Sequence, residues 1–230
     1  MTTLKATCIV GARPNFIKMA ALVHALRRRD VFKVQLIHTG QHFSPEMSDS
    51  FFEQLEIPQP DVNLAAGGGS QTEQTAEIMK RIEPVFLENR PDVLVVVGDV
   101  NSTVAASLVA AKMHIPIAHV EAGLRSFDRG MPEEINRLVT DAISDYLFVT
   151  EPSGQANLLR EGAHPDRVFF VGNVMIDTLL RFRPKAAESD VLDRLGLNPG
   201  SYAVVTLHRP SNVDDPARLG ELLAMLNELG

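Results

Sequence analysis

Val93-Leu94-Val95-Val96-Val97-Gly98-Asp99 is the stretch that decides the fold. Five aliphatic residues in a row leave no polar face, so a strand built from them must be covered on both sides, as strands of parallel sheets are. The run closes on a glycine and an aspartate and leads into Ser102–Lys112, a segment with helical periodicity. Short β-rich runs of the same kind recur on either side at Ala6–Val10, Lys33–Thr39, Ile117–Val120, Tyr146–Thr150, Val168–Val171 and Tyr202–Thr206. Helical patterns lie between most of them: Phe16–Arg28, Thr72–Asn89, Glu133–Ile143 and Pro152–Glu161. In Phe16–Arg28 the spacing puts Ile17, Ala20, Ala21, His24 and Ala25 along one side. Strands alternating with helices predict βαβ units, and therefore an α/β fold with a doubly wound parallel sheet.

Two stretches read as connections. Ala65-Ala-Gly-Gly-Gly-Ser70 is a loop before a helix, and residues 183–200 are rich in Pro, Gly and charge. Beyond the second connection stand one strand run and one helix, Pro216–Leu229, and a single βα unit cannot bury both faces of a sheet. Residues 1–180 are therefore expected to form a complete domain, 181–200 a linker, and 201–230 the beginning of a second domain that is incomplete here.

Composition excludes several classes of function. The chain has 230 residues, 45% of them hydrophobic and 22% charged, which is ordinary for a globular protein with a sizeable core. Its net charge of −7 argues against a nucleic-acid partner, because phosphate backbones are held by clustered cations. The one basic run, Arg27-Arg28-Arg29, ends a predicted helix and complements its dipole. Cys8 is the sole cysteine and lies in the apolar run Ala6–Val10, so neither a disulfide within the chain nor a cysteine-based zinc site is expected. No uninterrupted apolar stretch reaches the roughly 18 residues of a membrane span, and a cytoplasmic location is the expectation. The histidines show no metal spacing, so no metal is predicted.

The charged residues of interest sit where strands give way to helices, the rim at which α/β sheets bind ligands. Gly11-Ala-Arg-Pro-Asn-Phe-Ile-Lys18 follows the first strand and opens a helix, whose N-terminus suits a phosphate; Arg13 and Lys18 add full charges. The segment matches neither the G-x-G-x-x-G dinucleotide fingerprint nor the G-x-x-x-x-G-K-[ST] phosphate loop, and it also reads as a plain turn with solvated cations. Asp99 ends the strand Val93–Val97 and could equally cap the next helix. Glu121 directly follows Ile117–Val120, where a carboxylate would be partly desolvated and suited to acid or base work. Glu133 and Glu134 follow Pro132, and acids in a first helical turn are favoured by the dipole alone. His208-Arg209 ends the run Tyr202–Thr206, a plausible place for a donor to a departing phosphate. His38 and His42 flank Gly40-Gln41 and are read as lining a pocket rim.

Together these segments resemble the non-hydrolysing UDP-N-acetylglucosamine 2-epimerase family. The resemblance runs in order through Gly11–Met19, Gly40-Gln-His42, Pro91-Asp92, Val97-Gly-Asp99, His119-Val-Glu-Ala-Gly-Leu-Arg125, Pro132-Glu-Glu-Ile-Asn-Arg137, Gly172-Asn-Val-Met-Ile-Asp177 and Thr206-Leu-His-Arg209. It implies two Rossmann-like domains of glycosyltransferase-B-like architecture with the active site between them, the second domain being truncated here. It also implies a homodimer, no cofactor, and reversible interconversion of UDP-GlcNAc and UDP-ManNAc by elimination of UDP to a 2-acetamidoglucal and re-addition, in the supply of polysaccharide precursors. A hydrolysing or modified-sugar 2-epimerase, a non-catalytic nucleotide-sugar-binding module and a two-domain glycosyltransferase are the alternatives. Carried over by motif, Asp99, Glu121, Glu133 and His208 are the expected catalytic residues. Arg13, Lys18, Arg125, Asn173 and Arg209 are the expected substrate contacts, and Gln41 and His42 a regulatory rim.

Overall fold

The computed structural model describes residues 3–40, 52–207 and 210–229. The chain divides into two units, Met1–Pro184 and Lys185–Gly230. The first is a seven-stranded parallel sheet in the order β3-β2-β1-β4-β5-β6-β7. Its strands are β1 (Leu4–Val10), β2 (Phe32–His38), β3 (Val62–Asn63), β4 (Val93–Val97), β5 (Ile117–Val120), β6 (Tyr146–Val149) and β7 (Val168–Phe170). The helices are α1 (Arg13–Arg27), α2 (Gln71–Glu88), α3 (Asn101–Lys112), α4 (Pro132–Ile143), α5 (Pro152–Arg160) and α6 (Val174–Ala187).

The two faces of the sheet are buried by different helices, as the unbroken apolar run of β4 requires. Leu94 and Val96 point into one core with Ile9, Ile37 and Ile117, closed by Ile78, Ile82 and Phe86 of α2 and by Ala105, Ala106, Val109 and Ala110 of α3. Val95 and Val97 point into the other with Cys8, Val10 and Leu36, closed by Phe16, Met19, Ala20 and Val23 of α1. The alternation follows from the period of two along a strand. Cys8 is a buried apolar group in this second core, and burial pushes its thiol up to about 12.

α1 corrects one expectation. The side predicted from Ile17, Ala20, Ala21, His24 and Ala25 is not the buried one; Asn15, Phe16, Lys18, Met19, Ala20 and Val23 are buried. The polar Asn15 and Lys18 are turned inward by contacts described below, which rotates the helix away from its simplest apolar stripe. α2 behaves conventionally. Ser70 accepts from the Glu73 amide at 3.2 Å while Glu73 accepts from the Ser70 amide at 2.8 Å, so the loop Ala65–Ser70 ends in a reciprocal cap.

Two further departures concern the second half of the chain. α6 continues to Ala187, and α7 (Val191–Leu195) follows, ended by Gly196 in the left-handed region at φ 64°. The stretch 183–200 thus holds two helical pieces. Tyr202–Thr206, expected as a strand, has no ladder among the described residues, and Val204 is 80% exposed. A strand is stable only with a partner to satisfy its backbone groups, and none is offered there. In the second unit α8 (Pro210–Val213) and α9 (Pro216–Leu229) follow.

The strand order sets the position of the site. β1 is flanked by β2 on one side and β4 on the other, so the chain reverses direction of travel across the sheet at this pair. The loops leaving the carboxyl ends of β1 and β4 consequently diverge and leave a crevice between them, where ligands of such sheets bind.

Candidate active site

Asn15 closes the floor of this crevice. Its side-chain amide donates to the Val97 carbonyl at 2.7 Å, and its Oδ1 accepts from the Ala12 amide at 3.3 Å. One buried side chain therefore caps α1 and ties it to the end of β4. A turn further along α1, the Lys18 ammonium makes an ion pair with Glu121 Oε2. The two side chains are only 11% and 17% exposed, so each charge supplies most of the other's compensation for lost water. Glu121 itself has φ 71°, a conformation that costs a non-glycine residue about 1–3 kcal/mol and persists only where surroundings impose it.

Gly98 makes the pair possible. It turns the chain at φ 69°, and a Cβ there would lie 3.2 Å from Lys18 Nζ and 3.5 Å from Glu121 Oε2. The next residue, Asp99, is half-buried and does not cap α3, whose N-cap is Val100. Its carboxylate instead accepts from Arg137 Nη2 at 2.5 Å. Arg137 also donates to Glu134 at 2.9 Å, so one guanidinium bridges two acids from α4 and the β4 end. Glu134 is buried and accepts from the Ser126 amide at 2.9 Å, the Ser126 hydroxyl at 3.0 Å and the Phe127 amide at 3.1 Å. Burial alone would raise its carboxyl, but these donors and Arg137 together hold it below the usual range. Glu133, half-buried in the first turn of α4, has no hydrogen bond or ion pair among the described residues. Asn136 donates to the Asp99 carbonyl at 2.8 Å and to Asn101 at 3.2 Å, which fixes α4 against the same loop.

Behind the rim lies a second, deeper set. His119 of β5, fully buried, contacts Asp141 Oδ1 at 2.7 Å through Nδ1 and the Gly98 carbonyl at 2.9 Å through Nε2. Asp141 Oδ2 accepts from the Gly123 amide at 3.0 Å and pairs with Arg125 Nη1 at 2.7 Å. Arg125 completes its fork on Glu161, at 3.0 and 2.6 Å. Desolvation would raise Asp141, yet the attraction of His119 and Arg125 outweighs it and holds the carboxyl below its ordinary value. A group depressed in the folded state stabilises the fold fully above the unfolded value, about 4, and loses that contribution as pH falls through the folded value. Thermal melts over a pH series are expected to show a steep acid limb that Asp141→Asn flattens, with the variant also less stable at neutral pH. Parallel curves would refute this assignment.

The structure thus brings Lys18, Asp99 and Glu121 together, with Glu133 on the helix that holds Asp99. Arg13 is exposed at the first turn of α1, at the crevice mouth. Asn173 is exposed and accepts from the Met175 amide at 2.9 Å, the place of a cap on α6. The Arg125 side chain is 1% exposed and engaged by two carboxylates. Gln41, His42, His208 and Arg209 lie outside the described residues. From sequence, no site role falls to Asn15, His119, Arg137 or Asp141, and Glu134 reads only as an acid favoured by the dipole in a first helical turn. The Glu134/Arg137 spacing of three, which places two opposite charges on one side of a helix, was the available signal.

A crevice at the switch point of a parallel sheet, where Glu121 is paired with Lys18 and Asp99 with Arg137 while Glu133 has no such partner among the described residues, is the arrangement of an α/β protein built to hold a small charged ligand. Residues 24–230 match the family model described as UDP-N-acetylglucosamine 2-epimerase, and the chain belongs to that family. It is 44% identical over 230 residues to the UDP-N-acetylglucosamine 2-epimerase of Methanocaldococcus jannaschii, covering 98% of this chain and 62% of the relative. It is 43% identical over 229 residues to the UDP-2,3-diacetamido-2,3-dideoxy-D-glucuronate 2-epimerase of Pseudomonas aeruginosa, covering 98% of this chain and 63% of that protein. The crystal structure of the M. jannaschii enzyme in complex with UDP-GlcNAc and UDP superposes with a TM-score of 0.89, over 98% of this chain and 62% of that one, at 43% identity. The chain therefore spans a little over three fifths of these two relatives. No described helix is long and apolar enough to cross a membrane.

Proposed function

We propose that this chain forms the carboxylate-bearing side of a UDP-sugar 2-epimerase that acts by eliminating UDP and adding it back. The observation that carries this reading is the Lys18–Glu121 pair beneath Gly98, beside Asp99, at the switch-point crevice. The C2 proton of UDP-GlcNAc is not next to a carbonyl and is poorly acidic, so removal of that proton alone is implausible. Coupling its removal to departure of UDP solves the problem. A carboxylate takes the proton, the C2–H electron pair becomes the C1–C2 double bond of 2-acetamidoglucal, and the C1–O pair leaves with UDP. In the return, a UDP oxygen attacks C1 and the alkene carbon takes a proton on its other face, giving UDP-ManNAc.

Such a cycle needs acids and bases on both ring faces. Asp99, Glu121 and Glu133 supply them, and Arg137 and Lys18 reduce the repulsion that two of these carboxylates would exert on a diphosphate. Arg13 and the N-terminus of α1 receive the diphosphate, with His208, Arg209 and Asn173 as further contacts. Arg125 serves through Asp141, by fixing the turn after Glu121. By the Gly40-Gln-His42 motif, Gln41 and His42 form the rim at which a regulatory ligand would be sensed. A homodimer, a cytoplasmic setting and a role in polysaccharide-precursor supply complete the reading.

The near-equal identity to the glucuronate-type 2-epimerase supports a second reading in which the sugar is a diacetamido uronic acid. NMR of the protein with each UDP-sugar in D2O tests both. UDP-ManNAc labelled with deuterium at C2 is the expected result, and inversion of the uronic acid alone selects the second reading. Free ManNAc with UDP would establish a hydrolysing enzyme. Binding with no exchange at C2 would overturn the catalytic reading.

A further inference from the structure

His119 is a histidine whose two ring nitrogens both face acceptors. Nδ1 is 2.7 Å from Asp141 Oδ1 and Nε2 is 2.9 Å from the Gly98 carbonyl oxygen. A neutral imidazole carries one N–H, so in either tautomer one of these contacts would set lone pair against lone pair. In a fully buried site such a clash is costly, because no water can intervene. With Asp141 ionised, as its bonds from Arg125 and the Gly123 amide favour, only the imidazolium, with an N–H on each nitrogen, satisfies both partners. The charges around it close: His119 and Arg125 are two cations, and Asp141 and Glu161 two anions, in one connected chain. Beside Gly98, Lys18 and Glu121 pair with each other, and Arg137, on the same helix as Asp141, pairs with Asp99 and Glu134.

We infer that His119 is held as a buried imidazolium and, with Asp141, pins the two strand-end turns that display Asp99 and Glu121. The ring anchors the carbonyl of Gly98, the residue immediately before Asp99, whose left-handed turn leaves room for the Lys18–Glu121 pair. Asp141, locked by the same ring, anchors the amide of Gly123, two residues after Glu121. One ion pair therefore sets the separation of two acids carried by different strands. His119 touches no reacting atom in this arrangement and is a positioning residue; its effect on turnover rests on the epimerase reading, whereas its protonation does not.

Nitrogen-15 NMR of histidine-labelled wild-type protein at about pH 7 decides the first point, since an imidazolium is distinguishable from either neutral form. Protons on both ring nitrogens of His119 are expected, and one bare nitrogen overturns the inference. Kinetics decide the second. Misplacement of a reacting group by about 1 Å costs on the order of 100-fold, so His119→Ala is expected to lower kcat by about that factor with KM changed less than about threefold. His119→Gln, which keeps a donor for the Gly98 carbonyl, is expected to recover about tenfold of it. Equal turnover by the two variants, or a loss confined to KM, refutes positioning. If His119→Ala fails to fold, the NMR measurement and the His119→Gln kinetics still decide. Absence of epimerisation by wild type would sink the functional reading and leave the NMR result standing.

Discussion

Asp99→Asn is expected to abolish epimerisation while leaving the fold intact. Asparagine has the shape of aspartate and retains an oxygen for Arg137, and Arg137 keeps its second bond to Glu134, so the local network survives. The side chain is 24% exposed, so loss of its charge disturbs no deeply buried pair, and stability should change by no more than about 1 kcal/mol. What is removed is the ability to exchange a proton with the sugar. General acid–base groups contribute about 100- to 10,000-fold, and a turnover loss of at least about 1,000-fold is the expectation. Deuterium exchange at C2 and UDP release should fall together, because elimination breaks both bonds in one event. Wild-type turnover by a folded Asp99→Asn protein would exclude the role.

Gly123→Ala is expected to unfold or severely destabilise the first unit. Gly123 has φ 80°, and a Cβ on it would sit 2.3 Å from the Gly154 carbonyl oxygen, in the first turns of α5. The obstacle is backbone, which cannot swing aside as a side chain would. The left-handed conformation costs a non-glycine residue about 1–3 kcal/mol, and overpacking adds about as much again. The same shift would pull the Gly123 amide from Asp141 and the Gly123 carbonyl from Asn157, which donates to it at 2.9 Å. Chemical denaturation should therefore show a loss of about 4 kcal/mol or no folded baseline. A variant as stable as wild type would mean that α5 is free to retreat.

β4 was legible because it is an unbroken apolar run, and a fully buried strand has no other way to read; β1, β2, β5, β6 and β7 were legible as short β-rich runs despite polar residues such as Thr7, Gln35 and His119. β3 was missed because it is two residues long and held in part from outside, by Asp61 accepting from the Leu36 amide at 2.7 Å. α6 was missed because much of its apolar surface is exposed, with Ile176, Leu179 and Leu180 each at 55% or more, so no buried stripe marks it. Tyr202–Thr206 reads as a strand for good local reasons, but pairing is not a local property. Within the site, acids at strand ends stood out because a charge beside an apolar run is conspicuous. Arg137 and Asp141 did not, since a charge in the middle of a helix usually faces water; here α4 turns Arg137 toward Asp99 and buries Asp141 against His119. Arg125 illustrates the converse, a residue in the right motif whose guanidinium is spent on Asp141 and Glu161.

The side chain of Asn15 joins the first turn after β1 to the last residue of β4, and Lys5 at the other end of β1 donates its amide to Asp92 at 2.7 Å across 87 residues. These contacts depend on the pairing of β1 with β4, one of the long-range closures in the first unit. Closures over such a separation come at a high entropic cost and tend to set the pace of folding. The crevice is thus assembled by the same event that commits the sheet. A chain caught before that event has strands and helices but no pocket, and recovery of ligand binding during refolding should lag behind recovery of helical signal.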